Sequence, residues 1–440
     1  MSLSGAFRGV AAQPVDSGST AWVLASAALV LLMTPGVAFF YGGMVRARHA
    51  LAVLMQSFTT IAVVSLLWVV VGYSLVFGTG TDFVGDLTYV GLRGMDQPVP
   101  GFTGDTAMAV PPLAFAAFQM MFAVITPALI TGATVDRWRF TAFLPFLVLW
   151  SLLVYAPIAH WVFSPLGWAA RMGALDFAGG LVVHVTAGAA GLAMAMVLGR
   201  RRGWPTEAMR PHSLPLVLLG AALLWFGWFG FNAGSALGAN SVAAYAFVNT
   251  NTAAAAGLLA WTAVERIRFG KPTTLGAASG AIAGLVAVTP CAGFVTPLSA
   301  LLTGLAAGLA CAGAVSLKMW FRVDDSLDVV GVHLVGGVVG TLAVGLFATR
   351  EVNPAGRDGL FAGGGYGLLG AQVVALVVVV AYAFVVTYLI GGVLDRLIGN
   401  RVAPREELTG IDVALHGETA YGEAAHVETR PLTPSAGRSG

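Results

Sequence analysis

Two histidines, His184 and His333, lie inside strongly apolar stretches of this 440-residue chain. Each follows an aspartate and a glycine by a few residues, as Asp176-Phe-Ala-Gly-Gly-Leu-Val-Val-His184 and Asp328-Val-Val-Gly-Val-His333. Imidazole offers one donor and one acceptor nitrogen and titrates near neutrality, so a pair can guide a small polar molecule and exchange a proton with it. A polar ring in lipid is costly unless it faces a partner or a water-lined path. One such histidine alone fits a core residue bonded to a neighbour. Two at related places in the two halves of a chain favour function.

The composition identifies the solvent around those rings. The chain is 57% hydrophobic and only 10% charged, with a mean hydropathy of +0.82. These values exclude a soluble globular domain and point to a multi-span membrane protein whose main partner is the lipid bilayer. Net charge is +2 and no basic cluster is present, so nucleic acid is excluded as a partner. Cys291 and Cys311 lie in apolar context without ligand spacing, so no disulfide, metal site or cofactor is expected. The first twenty residues lack the pattern of a cleaved signal peptide, and residues 1–20 are expected to remain as an extracytoplasmic arm.

The elements that must position the histidines follow from hydropathy. Eleven apolar segments are long enough to cross about 30 Å of hydrocarbon: 21–44, 51–77, 112–131, 140–162, 179–199, 214–231, 241–263, 274–289, 297–317, 329–349 and 366–394. The expected fold is an all-α integral membrane protein with a transmembrane domain over 21–394 and a polar tail over 395–440. Alternate connections hold thirteen Lys and Arg residues, from Arg46 to Arg322, against five on the other side with the N-terminal arm. Cytoplasmic loops collect such cations, which predicts the N-terminus outside and the C-terminus inside.

Spans one to five (21–199) and six to ten (214–349) are equal in number, and five is odd, so the second half enters the membrane in the opposite sense. That is inverted-repeat architecture, with the site near the midplane between the halves. His184 and His333 occupy the last span of each half. Counting depth from the span starts separates the rings along the membrane normal, whereas the repeat axis brings them together. The repeat is the stronger constraint.

The same orientation gathers an aromatic and hydroxyl group at the outer mouth: Phe118 and Phe122 from span three, Phe163 at the end of span four, Phe231 at the end of span six and Ser235 beyond it. Ring faces attract a cation and a hydroxyl oxygen accepts a hydrogen bond, which suits a small, partly dehydrated cation. Ordinary interfacial anchoring is the competing reading. Asp176, the acid nearest that mouth, is expected to cap the His184 helix and to shape the field felt by a cation.

Long stretches of the chain, over roughly 21–425, resemble the ammonium transporter, methylammonium permease and Rhesus family on its bacterial ammonium transporter side. They include Met33-Thr-Pro-Gly-Val-Ala-Phe-Phe-Tyr-Gly-Gly43, Gly132-Ala-Thr-Val-Asp-Arg137, Gly173 through His184, Trp228-Phe-Gly-Phe-Asn-Ala-Gly-Ser235, Ala246-Phe-Val-Asn-Thr250, Ser279-Gly-Ala-Ile-Ala-Gly-Leu-Val286 and Arg322 through His333. The resemblance implies a homotrimer in the cytoplasmic (inner) membrane with one pore per subunit. It makes His184 and His333 the twin pore histidines, Phe122 and Phe231 the stacked gate rings with Phe118 beside them, Ser235 the recruiting hydroxyl and Asp176 the acid below the vestibule. Phe163 departs from the family, which usually has tryptophan there; Trp161 and Trp168 are the nearby rings that could compensate. The tail, with Pro404-Arg-Glu-Glu-Leu-Thr-Gly-Ile-Asp412 and His416-Gly-Glu-Thr-Ala-Tyr421, resembles the family's ordered cytoplasmic segment and implies a PII-type signal protein as partner, while 430–440 reads as disordered.

The mechanism implied is ammonium or methylammonium uptake. An intact ion in an apolar pore is costly, but ammonium can shed its charge as a proton and potassium cannot. An enzyme is not expected: a haem or metal enzyme would use paired histidines, but no second histidine pair or carboxylate cluster shares their depth. An ammonium sensor and a Rhesus-type neutral gas channel remain as alternatives.

Overall fold

The computed structural model describes residues 15–103 and 107–421. Most of the 1–20 arm and all of 430–440 lie outside them. Each of the eleven apolar segments forms a helix: α1 Ser17–Met44, α2 Ala47–Phe77, α3 Pro112–Thr134, α4 140–163, α5 Gly180–Leu198, α6 Leu214–Gly234, α7 Ser241–Phe269, α8 Thr274–Val288, α9 Pro297–Ala314, α10 Val330–Phe347 and α11 Gly367–Ile398. Among the described residues, nine helices are long and apolar enough to cross a membrane. The remaining two segments are α8, which has only 15 residues, and α7, whose middle is interrupted by Asn249-Thr-Asn-Thr252.

Several boundaries differ from the hydropathy reading. α1 begins at Ser17 rather than 21, because the Asp16 carboxylate accepts the Ser19 N–H at 2.6 Å and starts the helix in the polar arm. α11 runs past 394 to Ile398 before Gly399 ends it. Hydropathy locates the apolar run, whereas capping groups decide where the backbone begins to coil.

Glycine sets how closely the helices approach. A Cβ at Gly220 of α6 would stand 2.2 Å from the Phe40 backbone nitrogen of α1, and one at Gly284 of α8 would stand 2.1 Å from the Ala253 carbonyl of α7. In lipid, where burial alone does not drive helices together, such close backbone contact supplies the packing. α1 and α6, the first helices of the two halves, pack side by side. α5 and α10, the last helices, cross antiparallel, with Gly188 closing on Leu334 and Gly337 on Val185.

One end of the bundle carries a buried ionic network. Arg201 pairs with Asp324 at 2.8 Å and with Asp136 at 3.5 Å, and Arg46 reaches Asp136 at 3.1 Å. Burial pushes the Asp136 carboxyl up, but His49, Arg201 and Arg46 outweigh it and hold the group below its ordinary range. Two short tail helices, α12 Pro404–Thr409 and α13 Ile411–His416, dock on this end. Asp412 accepts the Leu51 and Ala52 N–H groups at 3.0 and 2.9 Å, capping the start of α2, and Glu407 accepts the Arg202 N–H at 2.6 Å.

Candidate conduction pathway

The histidine helices begin with π-helical turns, Gly180–Val185 and Val330–Leu334, one residue wider than an α-turn. Such turns are rare and concentrate at functional positions. An aspartate holds each of them. Asp176 accepts four backbone N–H groups, those of Gly179, Gly180, Leu181 and Val182, at 2.6 to 3.1 Å. Asp325 accepts those of Val329 and Val330 at 3.1 and 2.8 Å. Each carboxylate stands eight residues before its histidine.

This corrects one sequence pairing. Asp325, and not Asp328, is the structural counterpart of Asp176. Asp328 sits at positive φ of 62°, and its carboxylate accepts from Lys318 at 2.6 Å instead of capping the helix. Burial raises Asp328, with Lys318 opposing. Asp325 is raised to about 7 by burial first and then by the Asp328 charge.

Because both helices start deep in the protein, the rings meet. Nδ1 of His184 and Nδ1 of His333 share a hydrogen bond at 3.3 Å, and the ring centroids lie 5.4 Å apart at 21°. Depth counting from hydropathy had separated them because it placed both helix starts at the membrane surface. His184 Nε2 is buried without a hydrogen-bond partner. The pair lies beside a narrow cavity of about 10 Å³ lined by Met33, Tyr41, Ile125, Leu129, Trp228 and Phe231, about the room one water-sized molecule needs. A second cavity of about 10 Å³ shares Phe40, Tyr41, Ile282 and His333 with the first and continues to Ser279 and Asp328.

At the Phe231 end of the first cavity the rings close. Phe122 and Phe231 stand 4.4 Å apart at 31°, and Phe231 lies 6.0 Å from the His184 ring. Both phenylalanines are fully buried. Phe118 meets Phe122 edge-on at 4.9 Å and Phe163 meets it at 6.1 Å and 89°. Ser235 donates its hydroxyl to the Phe231 carbonyl at 2.8 Å, which leaves oxygen lone pairs to accept from a ligand. Asp176 turns its carboxylate into the head of α5, so its observed part is the cap. Trp161 is engaged away from the Phe122 ring: it packs on Trp168 and Tyr382 at 5.8 and 4.7 Å and donates to the Phe83 carbonyl.

Sequence reasoning gave no role to Trp228, Tyr41 or Thr289. Trp228 had a signal, since it stands three residues before Phe231 on the same helical face. Another buried histidine, His160, places its ring nitrogens 2.6 and 2.8 Å from the Val76 and Thr81 carbonyls and ties the loop after α2 to α4. Among the described residues, no group of three or more His, Cys, Asp or Glu is arranged to hold a metal ion.

A bundle of membrane-crossing helices with two buried, facing imidazoles in an apolar passage closed by aromatic rings defines a multi-pass membrane transporter. The comparisons with known proteins agree. Residues 21–421 match the family model described as Ammonium Transporter Family. The ammonium transporter of Bacillus subtilis (strain 168) is 50% identical over 409 residues, covering 92% of this chain and 99% of that one. The ammonium transporter of Mycobacterium tuberculosis (strain H37Rv) is 51% identical over 434 residues, covering 92% and 90%. Among solved structures, Mep2 of Saccharomyces cerevisiae superposes with a TM-score of 0.83 at 37% identity, covering 88% of each chain. A structure titled Sensor Amt Protein superposes at 0.82 with 29% identity, covering 90% of this chain and 98% of that one. The chain therefore belongs to the ammonium transporter family, whose members are transporters and not enzymes.

Proposed function

We propose that this protein takes up ammonium across the cytoplasmic membrane by collecting the cation outside, removing its proton and conducting ammonia past His184 and His333. The observation that carries this reading is the 3.3 Å contact between the two imidazoles behind the Phe122–Phe231 stack. In this reading Phe163, Phe118, Phe122 and Ser235 form the outer site, Asp176 holds the helix below it, and the two gate rings exclude water. The released proton goes to water on the outer side, and the neutral molecule passes the histidines towards Ser279 and Asp328 and takes a proton from water at the inner mouth. The cost of burying a charge selects ammonium over potassium, because only ammonium can cross uncharged.

The wider reading is a homotrimer of eleven-span subunits, N-terminus outside and tail inside, built from two inverted repeats (about 21–199 and 214–349) with an eleventh helix. The antiparallel crossing of α5 and α10 supports the inverted repeats and the docking of the tail on the cation-rich end supports a cytoplasmic tail, while the trimer and a PII-type protein bound at that end rest on the family resemblance. The decisive experiment is uptake of labelled methylammonium by liposomes holding only this protein, with membrane current recorded in parallel. Wild-type vesicles that take up no more label than empty ones would end the proposal.

The sensor reading has one observation in its favour, the neighbour titled Sensor Amt Protein. It predicts saturable ammonium binding without uptake, so the same liposomes separate the two.

A further inference from the structure

Trp228, His184 and His333 form a column of three rings. The indole lies 5.3 Å from the His184 ring at 25°, and His184 lies 5.4 Å from His333 at 21°. Trp228 is 2% exposed, and its Nε1–H donates to Thr289 Oγ1 at 2.8 Å. Thr289, fully buried at the end of α8, donates its own hydroxyl proton to the Leu285 carbonyl at 2.7 Å. A hydroxyl has one proton to give. With that proton spent on Leu285, the oxygen can only accept from the indole, so the chain runs in one direction from Trp228 through Thr289 to Leu285. An indole has a single N–H, and this bond fixes the rotation of the ring.

His184 needs such a support. Its Nδ1 is shared with His333, and its Nε2 has no hydrogen-bond partner, so no bond holds the ring on that side. The broad face contact with Trp228 supplies the missing constraint. Thr289 lines neither cavity of the pathway, so it acts on the passage only through the indole.

We propose that Trp228 and Thr289 are positioning residues: Thr289 orients the indole, and the indole fixes the plane of His184 so that Nε2 is left free beside the cavity. The inference deepens the conduction reading and rests on it for its consequence, but its main test does not require transport. Nitrogen NMR of protein labelled at histidine, reconstituted in liposomes and assigned against a His184→Ala variant, reports the His184 ring directly. Thr289→Val keeps the side-chain shape and removes the acceptor. It is expected to shift or double the His184 ring resonances and to lower methylammonium uptake about fivefold, the worth of one hydrogen bond. Thr289→Ser retains the hydroxyl and is expected to behave as wild type in both measurements. Trp228→Leu is expected to reproduce the defect, and adding Thr289→Val to it to change nothing further, because the two residues act in series.

Ring resonances unmoved by Thr289→Val would overturn the proposal. So would Thr289→Ser failing as Thr289→Val does, or single effects that add in the double variant. Thermal unfolding separates a weakened fold from a moved ring. A lowered midpoint with unaltered resonances counts against positioning, and altered resonances at an unchanged midpoint support it. A wild-type protein that transports nothing would remove the conduction reading, while the resonance comparison would still decide the part played by Thr289.

Discussion

His184 and His333 touch through like atoms, Nδ1 to Nδ1, at 3.3 Å. With both rings neutral, one Nδ1 must donate and the other accept, so the tautomer of one dictates that of its neighbour. The two rings form one proton-sharing unit. Replacing both with leucine should cut methylammonium uptake about a hundredfold, the scale of a lost acid–base group, or abolish discrimination against potassium. Liposome uptake and current measured together check this, and a double variant equal to wild type in both would contradict it.

Phe163 meets Phe122 edge-on beside the Phe122–Phe231 stack. Tryptophan is the better cation partner, so Phe163→Trp should lower the half-saturation concentration for methylammonium about twofold to fivefold, and Phe163→Ala should raise it. Concentration dependence of uptake is the measurement. An unchanged half-saturation in both variants would remove Phe163 from the site.

Asp176 satisfies four helix-start N–H groups. Asp176→Ala should cost about 2 kcal/mol of stability, the upper end for a helix cap, with Asp176→Asn falling between because one oxygen remains. Unfolding in detergent reads the loss. A variant as stable as wild type would mean that the cap does not hold the His184 helix in place.

Asp325 titrates at about 7, raised by burial and by Asp328, whereas an aspartate in an unfolded chain titrates near 3.9. Between those values the folded protein holds more protons at this site than the unfolded one, so its contribution to stability is present at low pH and declines as pH rises from about 4 to about 7. Asp325→Asn should flatten that part of the stability profile. Unfolding midpoints across the window test it, and a profile as steep in the variant would assign the slope elsewhere.

Arg201 faces two buried carboxylates, Asp324 and Asp136. Arg201→Gln removes the nearest cation from Asp324 while Asp136 keeps Arg46, and should destabilise the protein by about 3 kcal/mol. Chemical unfolding checks the size of the effect; a loss within the error of a surface substitution would show the network to be solvated.

The helices and the histidine pair were legible because lipid enforces a simple rule: apolar runs span, and a polar ring among them needs a reason. Antiparallel repeats then implied the meeting of His184 and His333 before any distance was known. The capping partner of His333 was not legible. Asp325 and Asp328 both precede it, and only the π-turn backbone tells which one points its carboxylate at free N–H groups. The docking of the tail was hidden for a similar reason, since Asp412 bonds to the main chain of Leu51 and Ala52, and a backbone N–H carries no sequence signature. Thr289 was unreadable because its bond to Trp228 joins residues 61 positions apart.

The equal interval from carboxylate to imidazole in the two halves acts as a ruler. Each residue of helix turns a side chain by about 100°, so one amino acid inserted between Asp176 and His184, or between Asp325 and His333, would swing a ring away from its mate. Loops elsewhere can lengthen without penalty to the meeting point. These two short intervals cannot change in length, and Gly180 within the first leaves no room for a side chain, since a Cβ there would stand 2.5 Å from Pro290.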